Sequence, residues 1–178
     1  MRNFGFAGYD NVTYVGTNGK MSEVSAAMGL TGLESLDEFI STNYRNYKTY
    51  QKDLEGIPGL RLISYDETEK NNYQYIIIEL DAEKTQINRD QLIQILHAEN
   101  VLARRYFYPG CHQMEPYRSY FPHAGLLLPV TEKLVQQVIS LPTGTAVEPD
   151  QIHKLCQIIR FVIEHPVEIK QKMTDLPR

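Results

Sequence analysis

Apolar residues recur at three- and four-residue spacing from Met21 through Val24, Met28, Leu33, Leu36, Ile40, Tyr44 and Tyr47, with Glu34, Asp37, Glu38, Arg45 and Lys48 between them. That period predicts one helix running to about Leu54, kinked near Gly29 or Gly32, and Gly56-Ile57-Pro58-Gly59 ends it. So long a helix exceeds what a small core needs. Ser25, Ala26, Ala27, Gly29 and Gly32 would let another backbone approach its first turns closely, although close packing inside one chain uses the same residues.

The helix is launched from Gly16-Thr17-Asn18-Gly19-Lys20, a tight turn rich in backbone freedom and side-chain acceptors. Amides at a helix N-terminus, together with the positive end of the dipole, suit an anion, and a phosphate is the natural candidate. A plain N-terminal cap has the same composition, so the turn alone assigns no chemistry. The residues before it, Arg2 to Val15, hold Phe4, Phe6, Tyr9 and Tyr14 without either period and read as an irregular segment that packs on something.

After the helix the pattern changes to short strands and helices. Leu60 to Ser64 alternates as a strand, Tyr73 to Leu80 is a buried strand around Ile76-Ile77-Ile78, and Asn88-Arg89-Asp90-Gln91 is a capping box opening a helix to about Ala98, with Leu92, Ile95 and Leu96 inward. Val101 to Tyr106 reads as a further strand, Thr131 to Gln137 as a short helix and Val138 to Leu141 as a strand. A last helix from Pro149 carries Ile152, Leu155, Ile159, Val162 and Ile163 on one stripe and ends at His165-Pro166. The fold class is α/β in the layered α+β sense, a small sheet covered by helices and preceded by one long helix. Residues 22–55 form the long helix, 56–165 the α+β domain, and 166–178 a solvated or partner-docked tail.

Composition excludes several classes. A formal charge of −4 on 178 residues leaves no electrostatic footprint for nucleic acid, and no apolar run is long enough for a membrane span. Cys111 and Cys156 lie far apart without a ligand partner at short spacing, so neither a disulfide framework nor a metal site is expected. The expected setting is reducing and cytoplasmic. One irregular segment stands out: Tyr106 to Arg118 packs aromatics, two prolines and His112 where a solvent loop carries Ser, Asp or Lys, as a pocket or interface lining does. A structural loop with a capped histidine is the competing reading. Glu67/Glu69 and His123 near Glu132 read as surface charge.

Several motifs occur in order along the chain. Gly16-x-Asn18-x-Lys20-Met21-Ser22-Glu23 is followed by Ala26-Ala27-Met28-Gly29-Leu30 and Leu33-Glu34, then Pro58-Gly59-Leu60, then Arg105 to Pro109 with His112 close behind, then Leu128-Pro129-Val130-Thr131-Glu132 and Ser140-Leu141-Pro142. The series resembles the pyridoxal-phosphate-dependent sugar aminotransferases of the DegT/StrS type over nearly the whole chain. The resemblance implies the C-terminal part of such an enzyme, the small domain of a fold-type I aminotransferase, with residues 1–21 left over from a larger N-terminal domain.

That larger domain supplies the lysine to which the cofactor is covalently attached, so none of the nine lysines here is expected to serve, and the chain alone is expected to be inactive. No catalytic residue is assigned to it. The resemblance places Asn18 at the phosphate of pyridoxal phosphate in a neighbouring subunit, with Lys20 near the same site, and His112 and Tyr108 in the loop facing a nucleotide-sugar. Phe4 stands where a histidine is common, and Gly110-Cys111 replaces a Pro-Leu pair. The implied partners are a second copy in a homodimer or a separate N-terminal half, and the implied reaction moves an amino group from glutamate to a keto-sugar. The alternative is a non-catalytic oligomerisation or nucleotide-sugar-binding module derived from that family.

Overall fold

The computed structural model describes residues 6–7 and 11–175, so Phe4 lies outside the described residues. The chain divides into two units, 1–38 and 39–178. In the first, Phe6 and Val12 form an isolated antiparallel bridge, and α1 spans Glu23–Glu34. None of the α1 side chains is buried. A Cβ added at Gly29 or Gly32 would meet nothing within 4 Å, so among the described residues no backbone uses the space these glycines leave.

The single helix expected from Met21 to Leu54 is two. A break at Ser35, with φ −96° and ψ 0° and its N–H turned to Leu33 O, separates α1 from α2 (Leu36–Asp53). The glycines are not the break. Serine competes for backbone hydrogen bonds and interrupts a helix where packing does not hold it, and α1 has no buried face to do so.

The second unit is built around a four-stranded antiparallel sheet in the order β1-β2-β4-β3. The strands are β1 (Leu60–Leu62), β2 (Ile76–Leu80), β3 (Arg104–Arg105) and β4 (Val138–Leu141), in the register Leu60↔Leu80, Ile78↔Ile139 and Arg105↔Ile139. Along β2 the buried positions alternate as Ile76, Ile78 and Leu80, which gives the sheet one core face. Against it pack Tyr47 and Tyr50 of α2, Leu92 and Leu96 of α4 (Arg89–Ala98), and Ile152, Leu155 and Ile159 of α8 (Pro149–Glu164).

Local chemistry sets these helices. The α4 capping box forms as the sequence suggested: Gln91 N donates to Asn88 Oδ1 and Asn88 N to Gln91 Oε1, each at 2.9 Å. Pro149 opens α8, with Glu148 N donating to Gln151 Oε1 at 2.9 Å. Two side chains of α2 tie down the segment before α8. Tyr50 Oη donates to Pro142 O at 2.9 Å, its hydroxyl pushed far above its ordinary pKa by burial, and the buried Asn46 amide donates to Gly144 O at 3.1 Å.

Three further expectations are corrected, and one element has no counterpart among them. The strand expected over Val101 to Tyr106 shrinks to Arg104–Arg105, because β4 offers it a partner only there. A one-turn helix, α3 (Ala82–Thr85), capped by Asp81, follows β2. The segment after Tyr106 is not wholly irregular: it holds a 3-10 turn (Cys111–Gln113), α5 (Tyr117–Tyr120), α6 (Ala124–Leu127) and α7 (Pro129–Leu134), the last starting and ending earlier than expected. The tail after His165 is a helix, α9 (Pro166–Asp175), and Ile169 packs on the core. Among the described residues no helix is long and apolar enough to cross a membrane.

Candidate functional site

In the first unit, Asn18 and Lys20 are both exposed, and Gly19 N donates to Thr17 O at 3.1 Å to close the turn that carries them. The turn does not form the helix cap itself. Ser22 is the N-cap of α1, its Oγ accepting from Ser25 N at 3.2 Å, so the turn precedes the helix start. Among the described residues, neither the Asn18 amide nor the Lys20 ammonium has a side-chain hydrogen bond or ion pair.

In the second unit the loop from Tyr106 to Gln113 is held from three sides. Gly110 has φ +96°, and a Cβ there would lie 3.0 Å from His112 Cε1 and 3.3 Å from Val135 Cγ1. A glycine is therefore the residue that lets the chain pass between the imidazole and α7. His112 has only 9% of its side chain exposed, and its Nε2 donates to Glu132 Oε1 at 2.7 Å. Gln113 Nε2 donates to the same oxygen at 2.8 Å. The hydrogen bonds from His112 and then Gln113 hold the Glu132 carboxyl below its usual pKa. A carboxylate on Nε2 fixes the ring and leaves Nδ1 as its other polar atom, beside Gly110.

Tyr108 is part of a second cluster. The residue is 41% exposed, with the Arg89 guanidinium carbon 4.8 Å from its ring centroid and that of Arg105 at 5.3 Å. Arg89 is 2% exposed, although it opens α4; its Nε donates to Asp90 Oδ1 at 2.7 Å and its Nη1 to Val135 O at 2.7 Å. Behind Tyr108, Tyr106 stacks on Phe107 at 4.0 Å and meets Tyr75 at 4.9 Å, while Tyr75 is bonded through its backbone to the Tyr65 hydroxyl. An aromatic series thus runs from the core edge to the loop.

The structure brings Tyr108 and His112 into one braced loop. It also enlists residues that the sequence does not mark. Glu132 reads as surface charge beside His123, yet its partner is His112. Arg89 and Asp90 show only as the start of a capping box, and Arg105 only as a landmark. Alternation and helical period carry no signal for these contacts, since all but the Arg89–Asp90 pair join elements far apart in the chain. Among the described residues no group of three His, Cys, Asp or Glu side chains could hold a metal ion.

A four-stranded antiparallel sheet packed on α2, α4 and α8, entered from a preceding helix, is the architecture of an aminotransferase small domain. The chain belongs to the DegT/DnrJ/EryC1/StrS aminotransferase family, whose model matches residues 1–160. It is 32% identical over 159 residues to a dTDP-4-amino-4,6-dideoxy-D-glucose transaminase of Escherichia coli, a match covering 89% of this chain and 43% of that protein. Among solved structures it is similar to DesI in the presence of its TDP-sugar product, at 43% identity and a TM-score of 0.84, over 97% of this chain and 43% of DesI. The fold also matches that of DesV from S. venezuelae at 24% identity and a TM-score of 0.80, over 92% of this chain and 42% of DesV. The chain thus spans under half the length of these relatives.

Proposed function

We propose that the chain contributes the small domain of a nucleotide-sugar aminotransferase that moves an amino group from glutamate to a keto-sugar in the cytoplasm. The observation that carries this reading is the likeness to DesI along nearly the whole chain, since DesI was seen with a TDP-sugar product. Pyridoxal phosphate supplies the electron sink of such chemistry when bound in the complete enzyme. The exposed Asn18 amide and Lys20 ammonium suit an outside phosphate, which fits a contact made across a homodimer to the neighbour's cofactor. On this reading Tyr108, and the rim of the mostly buried His112, are the parts of the braced loop that meet the sugar-nucleotide. Glu132 and Gly110 hold that loop in shape.

The test is reduction of the chain with borohydride in the presence of pyridoxal phosphate, followed by mapping of labelled lysines. Scattered labelling alone, with transamination of a dTDP-keto-sugar once a separately produced N-terminal half is added, is the expected result. Stoichiometric labelling of one lysine in the chain by itself would overturn the division of labour, and failure of every such mixture to transaminate would overturn the enzyme reading. One observation favours a second reading, a stand-alone oligomerising module: Val24, Met28, Leu30 and Leu33 are exposed. A concentration-independent monomer in sedimentation removes it.

A further inference from the structure

Asp90 serves two arginines with one carboxylate oxygen. Arg89 Nε donates to Oδ1 at 2.7 Å, and Arg105 Nε lies 3.1 Å from the same atom. Both guanidinium groups also stand at the Tyr108 ring. Two positive charges against one negative leave the cluster with a surplus of one. The surplus is not shared evenly, because the two arginines are differently placed. Arg89 is sealed in, with Nη1 on the Val135 carbonyl and Nη2 enclosed. Arg105 has 45% of its side chain exposed, and among the described residues nothing is paired with its terminal nitrogens.

Those nitrogens belong to a guanidinium already fixed in place. The ion pair at Nε and the Tyr108 ring 5.3 Å from its guanidinium carbon both hold the group, so less side-chain freedom is left to lose when a ligand arrives. Arg105 opens on a cavity of about 760 Å³ that Arg104, Gln91, Gln94 and His97 also line, and Asp90 is the one carboxylate in its wall. His97 Nε2 is taken by Ala103 O at 2.7 Å, which leaves the two adjacent arginines of β3 as the charged donors. A planar fork with two parallel N–H groups matches the geometry of a phosphate or carboxylate.

We propose that Arg105 is an oxyanion-binding residue and that the group it takes is the diphosphate of the nucleotide-linked substrate. The identity of that ligand rests on the reading of Tyr108 as substrate-facing, because Arg105 stands against the Tyr108 ring. Arg104, its neighbour on the strand, supplies the second charge that a diphosphate, but not a single carboxylate, requires. Arg89 and Asp90 do not touch the ligand and act as positioning residues for Arg105 and Tyr108.

The experiment is calorimetric titration of the full chain with inorganic pyrophosphate, with dTDP and with glutamate, at low ionic strength and without cofactor. Pyrophosphate and dTDP are expected to bind, and Arg105→Gln to weaken both by about tenfold or more, the range for a hydrogen bond to a charged group. Arg105→Lys, which keeps the charge and loses the fork, is expected to fall between. Arg61→Gln, on the far edge strand, should bind as the wild type does. Pyrophosphate affinity unchanged in Arg105→Gln, or no binding to the wild type, overturns the proposal. Glutamate bound in an Arg105-dependent way without pyrophosphate overturns the diphosphate assignment. Because nothing here needs transamination, an Arg105-dependent pyrophosphate site in a chain that never reconstitutes activity would sink the aminotransferase reading alone.

Discussion

Replacing Arg89 with methionine tests whether a buried cation braces the loop or burdens it. Methionine keeps the unbranched stem and removes the guanidinium, so the change is mainly one of bonds rather than volume. Losing Nη1 leaves Val135 O without its donor, at a cost of about 1–3 kcal/mol for an enclosed carbonyl. Losing the stacked charge beside Tyr108 costs about 0.5–1 kcal/mol more at a half-exposed ring. Asp90 adds little, since half of its side chain is in water and Arg105 remains beside it. Against these losses stands the relief of a desolvated group whose Nη2 has no partner, on the order of 1–2 kcal/mol. The balance is a net destabilisation of about 1.5 kcal/mol, or about 0.7 M in the urea midpoint for a slope near 2 kcal/mol/M. Urea unfolding followed by tyrosine fluorescence and circular dichroism reads both the midpoint and the slope. A midpoint that stays put or rises, at unchanged slope, would show that the cost of burying the guanidinium outweighs its bonds, and the reasoning would be wrong.

Other outcomes follow from single contacts. Gly59 has φ +77°, and a Cβ there would meet Lys84 Cβ and Thr85 Cγ2 at 2.8 Å, so Gly59→Ala should lower stability by about 2–4 kcal/mol through strain and overpacking together; a melting temperature within a degree of wild type would refute this. Glu132 is held below the ordinary glutamate value of 4.5, so its stabilising contribution is complete above that pH and is lost as pH falls through the lower, folded value. The stability gap between wild type and Glu132→Gln should therefore close in acid, and a gap independent of pH from 7 to 3 would count against the His112–Glu132 contact. Cys156 is buried, its thiol pushed up to about 12 by desolvation, whereas Cys111 is exposed. Native chain at pH 8 should show one fast thiol toward a maleimide, mapped to Cys111, and two fast thiols would mean that α8 opens readily.

What the sequence displayed was what neighbouring residues decide among themselves. The Asn88 to Gln91 box, the alternation through Ile76 to Leu80 and the apolar stripe of α8 each lie within a few turns or pleats, and each formed. Strand ends and helix breaks depend on distant partners. Val101 to Tyr106 has the residues of a strand, but only Arg104 and Arg105 find β4. The same holds for the site. Tyr108 and His112 stood out because aromatics and histidine are unusual in a solvent loop, while the groups that brace them, Glu132 and Arg89, are charged residues whose burial and pairing arise only when α7, α4 and the loop meet. The break at Ser35 leaves no mark in the sequence for the opposite reason, since the apolar period continues through it and only the lack of a buried face on α1 exposes the weakness.

The sheet has one further property. Its two outer strands are very short, three residues in β1 and two in β3, and Arg61 on one and Arg104 and Arg105 on the other put charge along both open edges. Unpaired strand edges invite backbone pairing with other chains, and brevity and cations are what discourage it. The domain therefore cannot readily grow its sheet into a neighbouring copy. Assembly is left to side-chain surfaces, and the same edges guard a concentrated solution against fibrous aggregation.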